Sequence, residues 1–447
     1  MKNPKSFLTV SLLFLGGSMM AQTESWTLQK CLDYAMENNI QLKQKAITTK
    51  SSHEDVLQAK SALFPSVSFS TNQNMSYRPF SQQTIVLESG TMTSSSDAVS
   101  YNGSYGINAR WTVWNGGKNR LTIQQNELTE KQNEYAEQEQ ANTIQEQITQ
   151  LFVQILYENE AVRVNEEVLK ASQQQYERAK TMVEVGSLAR VDQVQLEAQV
   201  AQDEYSLVSA KSQLANYKLQ LKQLLEIHDD APFDIAVPDV SDEKVLNTIP
   251  AQTDVYNTAL ANRPEIQSQR LNIDNSALKI KAARAGYMPT VSLNASIGTS
   301  NGSAGKDGFG TQIKTNMSNS LGLTVSVPIF DNHETRTSIR RAKYAEQTAQ
   351  LQLQDAQKQL YSTIEKYYLD ASTSQQQYVY AKKNAESMQE SYELVTEQFR
   401  LGLKNIVELT TGKNNLLQAQ QQLLQTKYTT LYNQAMLRFY QGETITL

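Results

Sequence analysis

Residues 99–113 read Val99-Ser-Tyr-Asn-Gly-Ser-Tyr-Gly-Ile-Asn-Ala-Arg-Trp-Thr-Val113. Val99, Tyr101, Tyr105, Ile107, Ala109, Trp111 and Val113 share one parity; Ser100, Asn102, Ser104, Asn108, Arg110 and Thr112 share the other. A strand sends successive side chains to opposite faces, so this stretch has one apolar face and one wholly polar face. Residues 66–77 repeat the pattern, with Val67, Phe69, Thr71, Gln73, Met75 and Tyr77 alternating with serine and asparagine. It returns with Val291, Leu293, Ala295 and Ile297, and again with Leu321, Leu323, Val325, Val327 and Ile329. Such strands suit a membrane barrel with lipid outside and water inside, and each reaches about the 9–11 residues that a tilted barrel strand requires. Tyr77, Trp111, Trp114 and Phe330 near the strand ends are candidates for an interfacial girdle. A half-solvated antiparallel sheet in water shows the same alternation. Four strands are too few to close a barrel, and an open edge in lipid leaves backbone groups unsatisfied at several kcal/mol each. In a membrane the strands must therefore be pooled among several chains, whose number this reasoning does not fix.

The strands sit inside a tandem duplication. At a shift of 224, Ala35 lies over Ala259, Asn38 over Asn262, Leu42 over Ile266, Lys60 over Arg284 and Pro65 over Pro289. Beyond a loop eight residues longer in the first copy the shift is 216. It then carries Gly106 onto Gly322, Trp114-Asn115 onto Phe330-Asp331, Tyr176 onto Tyr392, Gly186 onto Gly402, and Val191-Asp192 onto Val407-Glu408. Each copy reads as a short helix, two strands and two very long helices. No proline occurs from Phe80 to Ala231 or after Pro328, and Ile144, Ile148, Leu151, Phe152 and Ile155 follow the spacing of one helix face. A helix of nearly 70 residues is about 100 Å long, so these helices must align in a bundle, coiled coil or tube. Residues 78–98 and 300–319 read as surface hairpin loops.

The 447 residues carry 41 Lys+Arg against 46 Asp+Glu, and mean hydropathy is -0.51. That leaves no bundle of membrane helices and no basic excess for nucleic acid. Lys2, Lys5, the apolar run Phe7 to Leu15 and Ser18-Met-Met-Ala21 form a signal peptide with a cleavage site before Gln22. The expected divisions are a signal peptide at 1–21, a first repeat at 22–230, a linker at 231–254 and a second repeat at 255–447. Cys31 is the one cysteine and reads as a small apolar residue on a helix face. His53, His228 and His333 are scattered, so no metal site or cofactor is expected. Gly305-Lys306-Asp307 lacks the leading glycine and the Ser/Thr of a phosphate loop. No nucleophile has a base at recognisable spacing, and no enzyme is expected.

The chain resembles the TolC-like outer-membrane efflux protein family. The resemblance is carried by the opening Leu28…Cys31-Leu32…Ala35…Asn38-Asn39…Leu42 helix, its echo Ala259-Leu260…Asn262-Arg263-Pro264-Glu265, and the strand-opening pairs Phe64-Pro65 and Met288-Pro289. The helix–turn–helix pairs Val185-Gly186-Ser-Leu188…Val191-Asp192 and Leu401-Gly402-Leu-Lys…Val407-Glu408-Leu409 complete it, so that it spans about Glu24 to Leu437. It implies a homotrimer in the bacterial outer membrane. Its twelve-stranded barrel would take four strands per chain and continue as an α-helical tunnel through the periplasm, with 226–254 contributing to a belt midway. A periplasmic adaptor protein and an inner-membrane pump are the implied partners. The implied adaptor contacts are the turns Val185, Gly186, Leu188, Leu401, Gly402 and Leu403, whose glycines also read simply as helix ends. Family tips are narrowed by acidic rings. Glu408 stands at the first acidic position, whereas Thr411 occupies the second and departs from the pattern; Asp192 is a weaker candidate, and a lone acid on a helix is more often a solvated face. The function expected is a passive exit duct for drugs or other small molecules. An exit duct for a secreted polypeptide (type I secretion) and a periplasmic coiled-coil scaffold without a pore are the competing readings.

Overall fold

The computed structural model describes residues 25–79, 82–87, 90–95, 99–228, 233–238, 241–303 and 307–447. The expected signal peptide lies outside them, as do residues 304–306 of the expected 300–319 hairpin loop and parts of the 231–254 linker.

The first repeat opens with two helices, α1 (Leu28–Asn38) and α2 (Ile40–Ser61), followed by strand β1 (Ser66–Tyr77). A small hairpin, β2 (Gln82–Leu87) and β3 (Gly90–Ser95), leads to β4 (Val99–Asn115), and helices α3 (Lys118–Glu184) and α4 (Arg190–Leu224) follow. After the short α5 (Asp242–Val245), the second repeat gives α6 (Gln252–Asn262), α7 (Pro264–Arg284), β5 (Thr290–Gly302), α8 (Phe309–Thr315), β6 (Ser318–Ser326), α9 (Glu334–Arg400) and α10 (Ile406–Tyr440). The helix lengths duplicate closely: α3 and α9 both run 67 residues, and α4 and α10 both run 35.

Four expectations are corrected here. The second long helix of each repeat is half the length of the first, and the opening helix is split in two. The split falls at Asn39, whose Oδ1 accepts from the backbone of Gln41 (2.9 Å) and Leu42 (3.2 Å) and so restarts the helix. The Asn39 amide also donates to the Leu224 carbonyl at 3.0 Å, where α4 ends. Thus α4 and α2 meet end to end, and together they line most of the roughly 100 Å of α3. The 300–319 segment is not a plain loop: β5 runs to Gly302 and α8 packs on it, with Thr299 Oγ1 donating to the Ile313 carbonyl at 2.7 Å and Phe309 edge-on to Tyr105 at 6.4 Å between ring centres. In 78–98 the described backbone pairs as the β2–β3 hairpin. Finally β6 stops at Ser326, so Val327 and Ile329 lie beyond the strand, beside Pro328, which has no N–H to give a ladder.

The main core lies where both repeats meet. Ile144, Ile148, Phe152 and Ile155 of α3, Ile364 and Ala371 of α9, and Met436 and Leu437 of α10 are fully buried there. The α1 residues Cys31 and Ala35 join them, and burial pushes the Cys31 thiol up to about 12. Each large aliphatic chain so buried contributes about 1.5–3 kcal/mol. The link between repeats is stitched into this region: Ile235 bridges Trp26, Gln375 donates to the Val245 carbonyl at 3.0 Å, and Tyr378 donates to Asp242 at 2.5 Å. Arg263, the N-cap of α7, stacks 4.1 Å from the centre of the Tyr440 ring and pairs with Glu265 at 3.0 Å and Glu146 at 3.4 Å.

Candidate functional site

The four long strands form one antiparallel sheet in the order β1-β4-β5-β6, so the central pair joins the two repeats. Register decides what each face shows. Val67, Ala109, Ala295 and Leu321 stand in one row, and Phe69, Ile107 and Ile297 in the next. Trp111, Leu293 and Leu323 continue the same face in the other direction. The opposite face stacks Ser68, Asn108, Ser296 and Ser320, with Asn108 donating to Ser70 Oγ at 3.2 Å and the Ser296 and Ser320 hydroxyls 2.7 Å apart. Trp114 departs from strict alternation. A bulge between Thr112 and Trp114 sets Trp114 opposite Val291 and so turns it onto the apolar face, whereas plain period-two counting assigns it to the polar one.

In the single chain this apolar face is bare: Phe69 is 66% exposed, Leu321 76% and Leu323 66%. Among the described residues, the outer edges of β1 and β6 have no partner strand. An exposed apolar face between two unpaired edges is a surface that a stable protein keeps covered.

At the other end of the molecule the two helical turns are built alike. Gly186 and Gly402 adopt φ of +76° and +74°, conformations that cost an L side chain about 1–2 kcal/mol. Each closes its helix with a paired hydrogen-bond motif: Ser187 N–H to Met182 O and Gly186 N–H to Val183 O, mirrored by Leu403 to Gln398 and Gly402 to Phe399. Val185, Leu401 and Leu403 project into solvent at 73%, 58% and 71% exposure. Leu188 behaves differently, packing against the buried tip cluster of Ala179, Leu196, Ile406 and Leu409.

Glu408 caps α10. Its backbone N–H donates to Asn405 Oδ1 at 2.9 Å, and its carboxylate accepts from the Asn405 N–H at 3.1 Å and from the Lys404 ammonium. These donors, Lys404 foremost and then Asn405, hold the Glu408 carboxyl below the ordinary carboxylate range. Asp192 sits in the first turn of α4 and is half-buried, while Thr411 is exposed on α10.

Sequence reasoning missed a buried polar cluster behind the tips. Lys413 of α10 reaches Asp203 of α4 at 2.5 Å and Ser172 of α3 at 3.0 Å, and Gln199 donates to the other Asp203 oxygen at 2.9 Å. The Lys413 and Asp203 side chains are 4% and 6% exposed. Burial lowers the Lys413 pKa, and the Asp203 hydrogen bond opposes that shift. The signal was present: Ile406, Leu409, Lys413 and Leu416 are spaced 3, 4, 3, which puts a lysine in an apolar stripe.

The sequence matches the model of the outer membrane efflux protein family over residues 31–226 and 255–443, one segment in each repeat. The alkaline protease secretion protein AprF of Pseudomonas aeruginosa is 27% identical over 184 residues, 41% of this chain and 37% of AprF. The outer membrane protein TolC of Escherichia coli K12 is 26% identical over 250 residues, 54% of this chain and 50% of TolC. These alignments thus span half or less of either relative. The crystal structure of CusC, described for its folding and transmembrane channel formation, shares the fold with a TM-score of 0.76 at 15% identity, over 93% of this chain and 92% of CusC. The chain belongs to the outer membrane efflux protein family, a family of outer-membrane channel proteins and not of enzymes.

Proposed function

We propose that this protein is the outer-membrane exit duct of an efflux system. The observation that carries the proposal is the β1-β4-β5-β6 sheet, which has one apolar face, one polar face and two open edges. Three copies would close twelve strands into one barrel, apolar face to lipid and polar face to water. The stacked helices would continue that bore into the periplasm. Transport through it is passive and driven by an inner-membrane pump through a periplasmic adaptor. The exposed Val185, Leu401 and Leu403 around Gly186 and Gly402 are the proposed adaptor contacts, with Leu188 holding the turn in shape from behind. The proposed cargo is drugs or other small molecules. The similarity to AprF, named for protease secretion, favours a second reading in which the cargo is a secreted polypeptide.

Glu408 and Asp192, with Thr411 one turn beyond Glu408, are the proposed constriction. Like charges brought together by several copies would attract cations into a narrow tip. Purified protein added to a planar bilayer is expected to give discrete conductance steps. Glu408→Gln and Asp192→Asn are expected to weaken block of those steps by multivalent cations. Steps unaltered in both variants would remove the constriction, and an assembled protein that never conducts would remove the duct.

A further inference from the structure

We infer that Arg110 sets the ion selectivity of the barrel, as a collar of positive charge on strands that carry no other charged residue. This rests on the barrel reading above. Across β1, β4, β5 and β6, Arg110 is the single charged residue; every other strand position is apolar, hydroxyl, amide or glycine. Its register is unambiguous. Arg110 stands opposite Ser66 on one side and Asn294 on the other, within the polar rows and not the apolar ones. Its side chain is exposed, and no ion pair engages it among the described residues.

A guanidinium stays protonated at any working pH, so each copy contributes one permanent positive charge at this level. Ser66 is the first residue of β1, which places the collar where the barrel meets the helices. Every solute leaving the helical tunnel for the barrel passes it. The hydroxyl and amide positions of the strands offer hydrogen bonds to neutral solutes without sorting them by charge. The collar adds the sorting: anionic and neutral solutes pass it, and multiply cationic ones are opposed. Its field reaches about 10 Å at 0.1 M salt and about 3 Å at 1 M, so the selectivity must fade as salt rises.

The test is the reversal potential of single channels of the full assembled protein under a potassium chloride gradient. Arg110→Gln is expected to lower the anion-to-cation permeability ratio by about twofold or more at 0.1 M salt. Arg110→Glu should lower it further, Arg110→Lys should preserve it, and at 1 M the differences should shrink. Ser66→Asp, which sets a carboxylate directly opposite Arg110 in the native background, should shift the ratio the same way as Arg110→Gln. That second site keeps the test decisive if the Arg110 variants assemble poorly. Channels whose ratio is the same in wild type, Arg110→Gln and Ser66→Asp overturn the collar and leave the duct intact. Assembled protein with no channels overturns the duct and the collar together.

Discussion

Replacing Lys413 by methionine is expected to loosen the helical tip by about 3–5 kcal/mol, because it leaves the Asp203 carboxylate buried without its cation. Asp203 would keep only the Ser172 hydroxyl at 2.5 Å and the Gln199 amide at 2.9 Å, inside a site where both charged side chains are almost fully covered. The loss is large because Lys413 ties α10 to both α3 and α4 at a site closed to water. Hydrogen exchange of the peptides covering 170–210 and 400–420 reads the local opening free energy directly. Lys413→Met should accelerate exchange in both. Lys413→Met combined with Asp203→Leu should recover most of the protection, since replacing a whole buried pair by apolar groups costs little. Unchanged exchange in the single variant would mean that the pair does not hold the tip.

The second large effect separates the two faces of the sheet. Arginine placed on the lipid side of a barrel costs about 2–4 kcal/mol at mid-membrane, whereas the lumen side tolerates it. Leu293 stands between Trp111 and Leu323 on the apolar face; Ser296 stands between Asn108 and Ser320 on the polar face. Leu293→Arg should therefore sharply reduce the yield of assembled protein refolded into vesicles. Ser296→Arg should lose no more than about 1 kcal/mol, for its hydrogen bond with Ser320. Equal loss in both would contradict a barrel with a wet interior.

Much of this architecture is legible in the residues, because parity and helical spacing are written in side-chain chemistry. The apolar and polar parities of 66–77 and 99–113 reappear as the two faces of the sheet, and the 3, 4 spacing of Ile144 to Ile155 reappears as the core face of α3. What escaped depends on contacts between distant segments. The bulge that turns Trp114 is invisible because Val113 continues the apolar parity while the backbone slips. α8 forms where 300–319 reads as loop, since Phe309 finds Tyr105 and Ile313 finds Thr299 only after the sheet exists. The break at Asn39 had a local signal, an asparagine able to cap, but its purpose appears only when the end of α4 arrives at Leu224. Glu408 shows the limit for the site: its acidity is evident in the sequence, while its role in the Asn405 capping box depends on where the turn ends.

The claim on which the rest depends is that one chain carries only part of a barrel. Light scattering on the unheated, detergent-extracted protein, corrected for bound detergent, tests it most directly. The account predicts a particle of three mature chains, each lighter than the 50.3 kDa of the full sequence by its signal peptide. A monomer that leaves the membrane without detergent would contradict it, and would favour a periplasmic scaffold as the explanation of the long helices.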